Sequence, residues 1–288
     1  MTGNSLYADY METAIYNALM ASLKADASQI AKYSPLEGWR HEGEEQCGMH
    51  INCCNANGPR AFAMIPQFAY QVQDDCVRVN FYAPSEAELV LPDKKPVRLK
   101  QTTDYPQTDQ IEIEVDPAKE TAFTIALRIP AWSKIAVVSV NGQPQDGVLQ
   151  GAYLPVNRKW KKGDRITVKL DLRARLVERN QAQAIVRGPI VLARDSRFGD
   201  GFVDEASVVV SKDGYVELTP VKAPGFAWLA FTAPMVLGTD LESNRAPKQI
   251  HFCDFASAGN TWDKTQRYRV WLPKTLNVMH SPYRPYNQ

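Results

Sequence analysis

The hydrophobic pattern divides the chain into a helical start and a long β-rich remainder. In the opening segment apolar residues recur every three or four positions, which predicts an amphipathic helix with one buried stripe. The predicted stripe consists of Tyr7, Met11, Ala14, Ile15, Ala18, Ser22 and Leu23. Asn4 or Ser5 can cap this helix, and Asp9 suits the positive end of its dipole. Such an apolar face needs a surface to cover it.

A second helix is predicted over the stretch "NGPRAFAMIPQFAY". Asn57 or Gly58 is the predicted cap, and Pro59 then falls in the first turn, where its missing N–H costs little. Pro66 should bend this helix or end it early. The predicted buried stripe is Ala61, Phe62, Ile65 and Phe68.

From about Asp75 onward the period of the pattern changes from 3.6 to 2. The alternating stretches are "CVRVNFYA", "IEIEV", "FTIALRI" and "ITVKLDL". Turn signals at Asn141-Gly142 and at Lys162-Gly163-Asp164 lie between them. Short alternating strands at this spacing predict an antiparallel β-sandwich.

A second β region follows a short stretch of linker composition. "RGPIVLARD" predicts a hydrophobic strand, and "SRFGDGF" after it contains the linker residues. The strands predicted beyond this point are "YVELTPV", "FAWLAFTA", "KQIHFCDFA" and "YRVWLP". The sequence therefore predicts a mainly β protein with three parts: helices over 1–73, a first β-sandwich over 74–197 and a second over 198–288.

Composition excludes some partners. The 33 basic and 32 acidic side chains are well mixed and leave a net charge of +1, so no strong field exists to attract nucleic acid or an anionic membrane. No stretch approaches the roughly 18 apolar residues of a membrane span, and the start lacks the basic-then-apolar layout of a signal peptide. We expect a soluble protein, with its compartment left open.

The cysteines show no disulfide framework. Their number is odd, no spacing repeats, and adjacent thiols are poor disulfide partners for each other. The five are Cys47, Cys53, Cys54, Cys76 and Cys253. Reduced thiols or metal ligands are therefore expected. Cys76 and Cys253 lie inside strand patterns and are expected to be small core residues.

The adjacent pair Cys53 and Cys54 has two interpretations. A thiolate is a strong nucleophile and a good zinc ligand, and nearby positive charge lowers the pKa of a thiol. His41, Cys47 and His50 lie close in sequence, so a cysteine–histidine metal site is one hypothesis, although the spacing matches no zinc finger. The other interpretation is a pair of small buried hydrophobic residues at a helix entrance.

A series of stretches along the whole chain resembles the C-terminal part of glycoside hydrolase family 127, the β-L-arabinofuranosidase-like enzymes. In chain order they are "YADYMETAIYNALMASL", "YSPLEG", "NCCNANGPRAFAMIPQFAY", "VNFYAPSEAEL", "QTTDYP", "LRIPAW", "VSVNGQ", "VNRKWKKGDRITVKLDL", "IVRGPIVLARD" and "DFASAGNTWDKTQRYRVWLP". The resemblance implies that the opening helices are the last helices of an (α/α)6 barrel. It also implies that two antiparallel β-sandwich domains follow them.

The resemblance further implies a chemistry and a substrate. Cys53 corresponds to a nucleophile that forms a thioglycosyl intermediate, and Cys53 and Cys54 correspond to zinc ligands. The implied reaction is the retaining cleavage of terminal β-L-arabinofuranosides in an arabinose-containing oligosaccharide or glycan. Tyr33, in "KYSPLEG", corresponds to a residue that contacts the sugar; its alternative interpretation is an aromatic core residue in a loop.

The sequence departs from the family in one respect. A Glu-x-Cys pair that supplies further zinc ligands, and a glutamate acid/base, lie upstream of the helix at which this chain begins, so the chain alone is expected to be inactive. Three explanations compete: a fragment of a longer protein, a separate chain that carries the rest of the barrel, or substitutes Glu45 and Cys47 within "HEGEEQCGMH". That run is also typical of a solvated loop. Uncovered apolar helix faces predict an oligomer or poor solubility.

Two other functions are compatible with these patterns. One is a non-catalytic carbohydrate-binding or structural β module, and the other is a zinc-binding scaffold without chemistry. The six tryptophans and twelve tyrosines suit stacking on sugar rings. However, Trp132, Trp160 and Trp271 lie in strand patterns and are predicted to be core residues.

Overall fold

The computed structural model describes residues 3–42, 53–238 and 246–275. Within these ranges the chain is mainly β, which confirms the fold class predicted from the alternating pattern. The helical elements are α1 (Leu6–Ala14), a π-helical turn (Ile15–Leu19), α2 (Cys54–Ala69) and 3₁₀ turns at Pro92–Lys94 and Ser196–Phe198. In the described part of the chain, no helix is long and apolar enough to span a bilayer.

The strands are mostly short. The first eleven are β1 (Glu37–Gly38), β2 (Tyr70–Gln73), β3 (Cys76–Val79), β4 (Ser85–Leu91), β5 (Lys95–Thr103), β6 (Gln110–Pro117), β7 (Thr121–Ile129), β8 (Ala136–Val140), β9 (Gln143–Pro144), β10 (Ala152–Trp160) and β11 (Asp164–Leu170). The others are β12 (Ala174–Arg179), β13 (Ala182–Arg187), β14 (Ile190–Asp195), β15 (Ser207–Val209), β16 (Tyr215–Val216), β17 (Thr219–Pro220), β18 (Ala230–Leu237), β19 (Lys248–Asp254), β20 (Tyr268–Arg269) and β21 (Leu272–Pro273).

The chain forms two compact units, each built from two stretches. The first unit consists of Met1–Tyr16 and Asn52–Leu172, and the second of Asn17–Ile51 and Arg173–Gln288. The strands β12, β13 and β14 belong to the second unit because they pair with later strands, namely β16, β21 and β19. The division into three domains at residues 73 and 197 stays a prediction.

Two sheets make up the first unit. One has four strands in the order β10-β7-β3-β2, and the other has six in the order β4-β5-β6-β11-β8-β9. Inward-facing residues of both sheets form one buried cluster, as the alternation predicted; in β6 these are Ile111, Ile113 and Val115. Trp132 and Trp160 belong to the same cluster, which confirms their predicted place in the core.

The turn predicted at Asn141-Gly142 joins β8 to β9. Both residues have positive φ, 50° and 79°, and Val140 pairs with Gln143 across the turn. These are features of the type I′ turn that suits a twisted two-residue hairpin. Gly163, in the second predicted turn, has φ 82° and lies between β10 and β11. Both turn predictions are confirmed.

Helix α1 buries its polar face rather than its predicted apolar stripe. Asp9 and Glu12 are 6% and 2% exposed, whereas Tyr7 of the predicted stripe is 58% exposed. The reason is Arg128 on β7, which is fully buried and contacts both carboxylates. The hydrophobic period therefore misidentified the buried face, because a long-range ion pair decided it.

Helix α2 begins earlier than predicted and does not end at Pro66. Its first residue is Cys54, and its N-cap position is Cys53, so the caps predicted at Asn57 or Gly58 are wrong. The helix continues through Pro66 to Ala69. Proline φ is compatible with a helix, and the main cost is a lost N–H donor and crowding one turn back.

Eleven strands of the second unit form one hydrogen-bonded network. Its main path is β15-β18-β19-β14-β13-β12-β16, and all its pairs are antiparallel. Side branches add β17 to β18, β21 to β13, and the pair β1 and β20 to β14. The predicted linker begins as the 3₁₀ turn at Ser196–Phe198. The Arg197 N–H in this turn donates to the Asp195 carboxylate.

Within the second unit, polar side chains hold residues 17–42 to the later part of the chain. Asn17 donates to the Pro189 carbonyl and accepts from the Val191 N–H, both at 2.8 Å. Arg40 is fully buried and donates to three backbone carbonyls, those of Ala21, Phe255 and Ala256. These bonds satisfy the Nη1 and Nη2 groups of a guanidinium whose pKa is lowered by burial.

Candidate active site

The adjacent cysteines lie where α2 begins. The Cys53 carbonyl accepts hydrogen bonds from the Ala56 and Asn57 N–H groups, at 3.2 and 3.0 Å, and from the Asn57 side chain at 3.1 Å. These bonds form the first turn. Cys53 and Cys54 are both half-buried, and both carry thiols. The interpretation as fully buried hydrophobic residues does not fit this exposure.

The N-terminal end of a helix favours anionic groups. The first N–H groups of α2 have no carbonyl one turn earlier within the helix, and the peptide dipoles add to a partial positive charge there. Cys53 is the N-cap residue, but its sulfur accepts no capping hydrogen bond. Cys53 and Cys54 therefore lie at the positive end of the α2 dipole.

The sulfurs of Cys53 and Cys54 are ligands of a type that zinc prefers, but two ligands are fewer than a zinc site uses. Thiolate sulfur is a preferred zinc ligand, and structural or catalytic sites use three or four protein ligands. Among residues 3–42, 53–238 and 246–275, no group of three or more His, Cys, Asp or Glu side chains could hold a metal. Glu45, Cys47 and His50 lie outside the described residues. His41 is exposed and lies beside Trp39, with ring centroids 5.9 Å apart.

The other two described cysteines differ from this pair. Cys253 is fully buried in β19, and burial raises the pKa of its thiol well above the usual value. Its sulfur lies 3.8 Å from the Ala193 carbonyl oxygen. Cys76 is half-buried in β3, and burial also raises the pKa of its thiol. Both are strand residues, as predicted, and both are poor nucleophiles on these grounds.

Tyr33 lies in a loop of the second unit, before β1. Its ring is 66% exposed, so the interpretation as an aromatic core residue does not hold. The next residue fixes the loop, since the Ser34 hydroxyl donates to the Ala18 carbonyl at 2.9 Å. Cys53 and Cys54 belong to the first unit. The contact of Tyr33 with sugar stays a prediction.

The opposite end of α2 is fastened by Asn80, a residue that the sequence analysis did not identify. Its backbone N–H donates to the Ala69 carbonyl and its side-chain amide to the Phe68 carbonyl, each at 2.9 Å. These carbonyls belong to the last turn of the helix, where acceptors have no partner within the helix. The Asn80 side-chain oxygen accepts from the Tyr153 hydroxyl at 2.6 Å.

Arg128 joins this anchor to α1. Its Nε donates to the Asn80 carbonyl oxygen at 2.5 Å, while its Nη1 and Nη2 lie 2.5 and 2.6 Å from Asp9 and Glu12. Burial alone would lower the pKa of Arg128, but the neighbouring Glu12, Tyr105 and Asp9 raise it above its usual value. The guanidinium is therefore charged and contacts all three partners.

Two tyrosines complete this buried cluster. The Tyr105 hydroxyl donates to Glu12 at 2.8 Å, and the Tyr82 hydroxyl donates to the Arg128 carbonyl at 2.6 Å. Burial raises the pKa of both phenols, and the Glu12 charge raises that of Tyr105 further. The sequence did carry a signal for this cluster: two acidic residues three apart in α1, and one arginine in an otherwise uncharged strand.

Two sequence profiles match the chain. The profile of the β-L-arabinofuranosidase GH127 catalytic domain matches residues 1–67, and that of the GH127 middle domain matches residues 76–172. The first match contains α1, both adjacent cysteines and most of α2. The second ends at Leu172, where the first unit also ends. Together the matches span more than half of the chain.

Known proteins show the same similarity. The non-reducing end β-L-arabinofuranosidase of Bifidobacterium longum subsp. longum is 27% identical over 212 residues, which are 64% of this chain and 31% of that enzyme. A solved GH127 β-L-arabinofuranosidase from Geobacillus stearothermophilus T6 is 22% identical with a TM-score of 0.77, covering 94% of this chain and 47% of its own. A second solved structure, a GH127 β-arabinofuranosidase, is 24% identical with a TM-score of 0.78, covering 95% and 46%.

These matches and the mainly β architecture relate the chain to the glycoside hydrolase families. The chain belongs to glycoside hydrolase family 127. It spans about half the length of the solved relatives and less than a third of the curated relative.

Proposed function

We propose that this chain supplies the cysteine nucleophile and two zinc ligands of a retaining glycoside hydrolase that cleaves terminal β-L-arabinofuranosides. One observation carries the proposal. Cys53 and Cys54 are half-buried thiols at the first turn of α2, inside the segment that the GH127 catalytic domain profile matches. The relatives named β-L-arabinofuranosidases support the substrate.

Cys53 has the role of nucleophile in this proposal. Its sulfur attacks the anomeric carbon, a C–S bond forms, and the C–O bond to the leaving group breaks as an acid protonates the leaving oxygen. Water then attacks the same carbon, the C–S bond breaks, and the group that gave its proton takes one from the water. Two displacements at one carbon return the original configuration.

Cys53 and Cys54 would hold the zinc ion. When bound, zinc supplies the positive charge that keeps a coordinating thiol ionised near neutral pH. In this proposal the remaining ligands and the acid/base come from outside the described residues, either from other polypeptide or, for the ligands, from Glu45 and Cys47. Tyr33, whose ring is 66% exposed, is proposed to contact the sugar.

The test measures substrate turnover and searches for a covalent sugar adduct on the protein. The chain is incubated with zinc and p-nitrophenyl β-L-arabinofuranoside, alone and with the catalytic-domain portion of a GH127 relative, and p-nitrophenol release is followed. Intact-mass and peptide spectra then locate any anhydropentose adduct. We expect turnover or an adduct on Cys53, loss of both in Cys53→Ser, and no loss in Cys76→Ser. Equal loss in both variants would contradict the nucleophile assignment.

A further inference from the structure

Both catalytic-domain helices of this chain are fixed to the sandwich at one place. Asp9 and Glu12 of α1 contact Arg128 directly. The last turn of α2 reaches Arg128 through Asn80, which bonds the Phe68 and Ala69 carbonyls on one side and the guanidinium on the other. A single side chain of the middle domain therefore joins two helices that lie far apart in sequence.

We propose that Arg128 and Asn80 are positioning residues that set the orientation of α2 and thereby the place of Cys53 at its other end. The proposal rests on the function proposed above in taking Cys53 as the reacting group. It adds that the β-sandwich is a working part of the active site, although no sandwich residue need touch the sugar.

The arrangement of bonds around Asn80 supports a positioning role. Its N–H, carbonyl, side-chain amide and side-chain oxygen each make a hydrogen bond, with Ala69, Arg128, Phe68 and Tyr153 respectively. Rotation of the side chain would break its two side-chain bonds, those with Phe68 and Tyr153. A residue with every polar group engaged holds its neighbours in one geometry.

Arg128 suits the same role through the shape of its guanidinium. The three nitrogens lie in a plane and donate in fixed directions, here towards Asn80, Asp9 and Glu12. Lysine has one nitrogen and cannot reproduce this set of contacts. The side chain is fully buried, so water cannot replace a lost bond.

The length of α2 turns a small change at its anchor into a large one at the cysteines. The helix has 16 residues and is therefore about 24 Å long. A tilt of about 5° at one end moves the other by about 2 Å, and a misplacement of about 1 Å can cost 100-fold in rate. Loosening Asn80 should therefore alter the reactivity of Cys53.

The experiment uses the full chain and the variants Asn80→Asp and Arg128→Lys. Asn80→Asp keeps the side-chain size and the oxygen that faces Tyr153 but removes the donor to Phe68. Arg128→Lys keeps the positive charge. Arg98→Lys is the matched control, because Arg98 lies on the same sandwich, 42% exposed, and pairs with Glu86 and Asp116. All measurements are made well below the unfolding temperature.

Two methods, which give three measured quantities, distinguish the positioning role from the proposed metal binding. Cobalt(II) titration follows the sulfur-to-cobalt charge-transfer band, and peptide mass spectrometry gives the iodoacetamide alkylation rate of Cys53 and the amide exchange of α2. We expect Asn80→Asp and Arg128→Lys to weaken cobalt binding, to change the alkylation rate of Cys53 and to speed amide exchange in α2. Arg98→Lys should behave as wild type.

The outcomes test the proposed zinc site and the proposed positioning role separately. If wild type gives no sulfur-to-cobalt band, the zinc part of the proposed function fails, and alkylation and exchange alone judge the positioning role. If both variants match wild type in Cys53 alkylation and in α2 exchange, the positioning role is wrong, whatever the metal result. A lower melting temperature alone, with these rates unchanged, indicates a structural role and also overturns the proposal.

Discussion

The clearest energetic prediction concerns the replacement Arg128→Met. It leaves the Asp9 and Glu12 carboxylates buried without the charge that now lies 2.5 and 2.6 Å away. Breaking one buried pair costs about 3–5 kcal/mol, and two carboxylates share this guanidinium, so a loss near 5 kcal/mol is expected. Domains are stable by about 5–15 kcal/mol, so the loss is a large part of the first unit's stability.

The pairing itself contributes far less than this value. Replacing all three charges by apolar residues, in Asp9→Leu, Glu12→Met and Arg128→Met together, removes the desolvation of three buried ions. We therefore expect the triple variant to be more stable than Arg128→Met alone. The Tyr105 hydroxyl and the Ala131 N–H lose their acceptors, and each loss takes back about 1 kcal/mol of the regained stability.

The assay must report on the first unit alone, because a chain of two units need not unfold in one step. Urea-dependent amide exchange of peptides from β7 and β11 meets this need. Arg98→Met is the control and should change the first unit little, since the Arg98 side chain is 42% exposed and exposed charges contribute little through their pairs. A loss below about 1 kcal/mol in Arg128→Met, or a triple variant no more stable than it, would refute the reasoning.

Two further predictions concern other parts of the chain. Gly259 has φ 61°, and a Cβ added there would lie 2.6 Å from the Tyr268 ring. Gly214 is the control, because its φ is also positive, at 78°, but the space around it is open. Gly259→Ala should therefore cost at least about 2 kcal/mol more stability than Gly214→Ala, and equal melting temperatures would contradict this. The phenols of Tyr82 and Tyr105 have raised pKa values, so above about pH 10 only the unfolded state loses these protons and the unfolding free energy falls. Absorbance at 295 nm should show tyrosinate that appears only with unfolding; complete titration of the native protein would disprove it.

Local patterns predicted the β architecture well because strand alternation and turn chemistry are nearest-neighbour properties. The residues of β6 and β11 face the core as their period of two requires, and Asn141-Gly142 adopts the positive φ angles of its turn. The cysteine pair was also identifiable, since its chemistry lies in the residues themselves. Its half-buried place at the start of α2 required the structure.

Local sequence patterns were sufficient to identify the mainly β class, part of the strands, both predicted turns and the two thiols on which the proposed chemistry depends. Long-range contacts determine which face of α1 is buried and which residues anchor the end of α2. Those outcomes depend on Arg128, which lies 119 and 116 residues from its carboxylate partners. A hydrophobic period describes the average cost of burial along one helix. It contains no information about a distant charge that makes the burial of a polar face favourable.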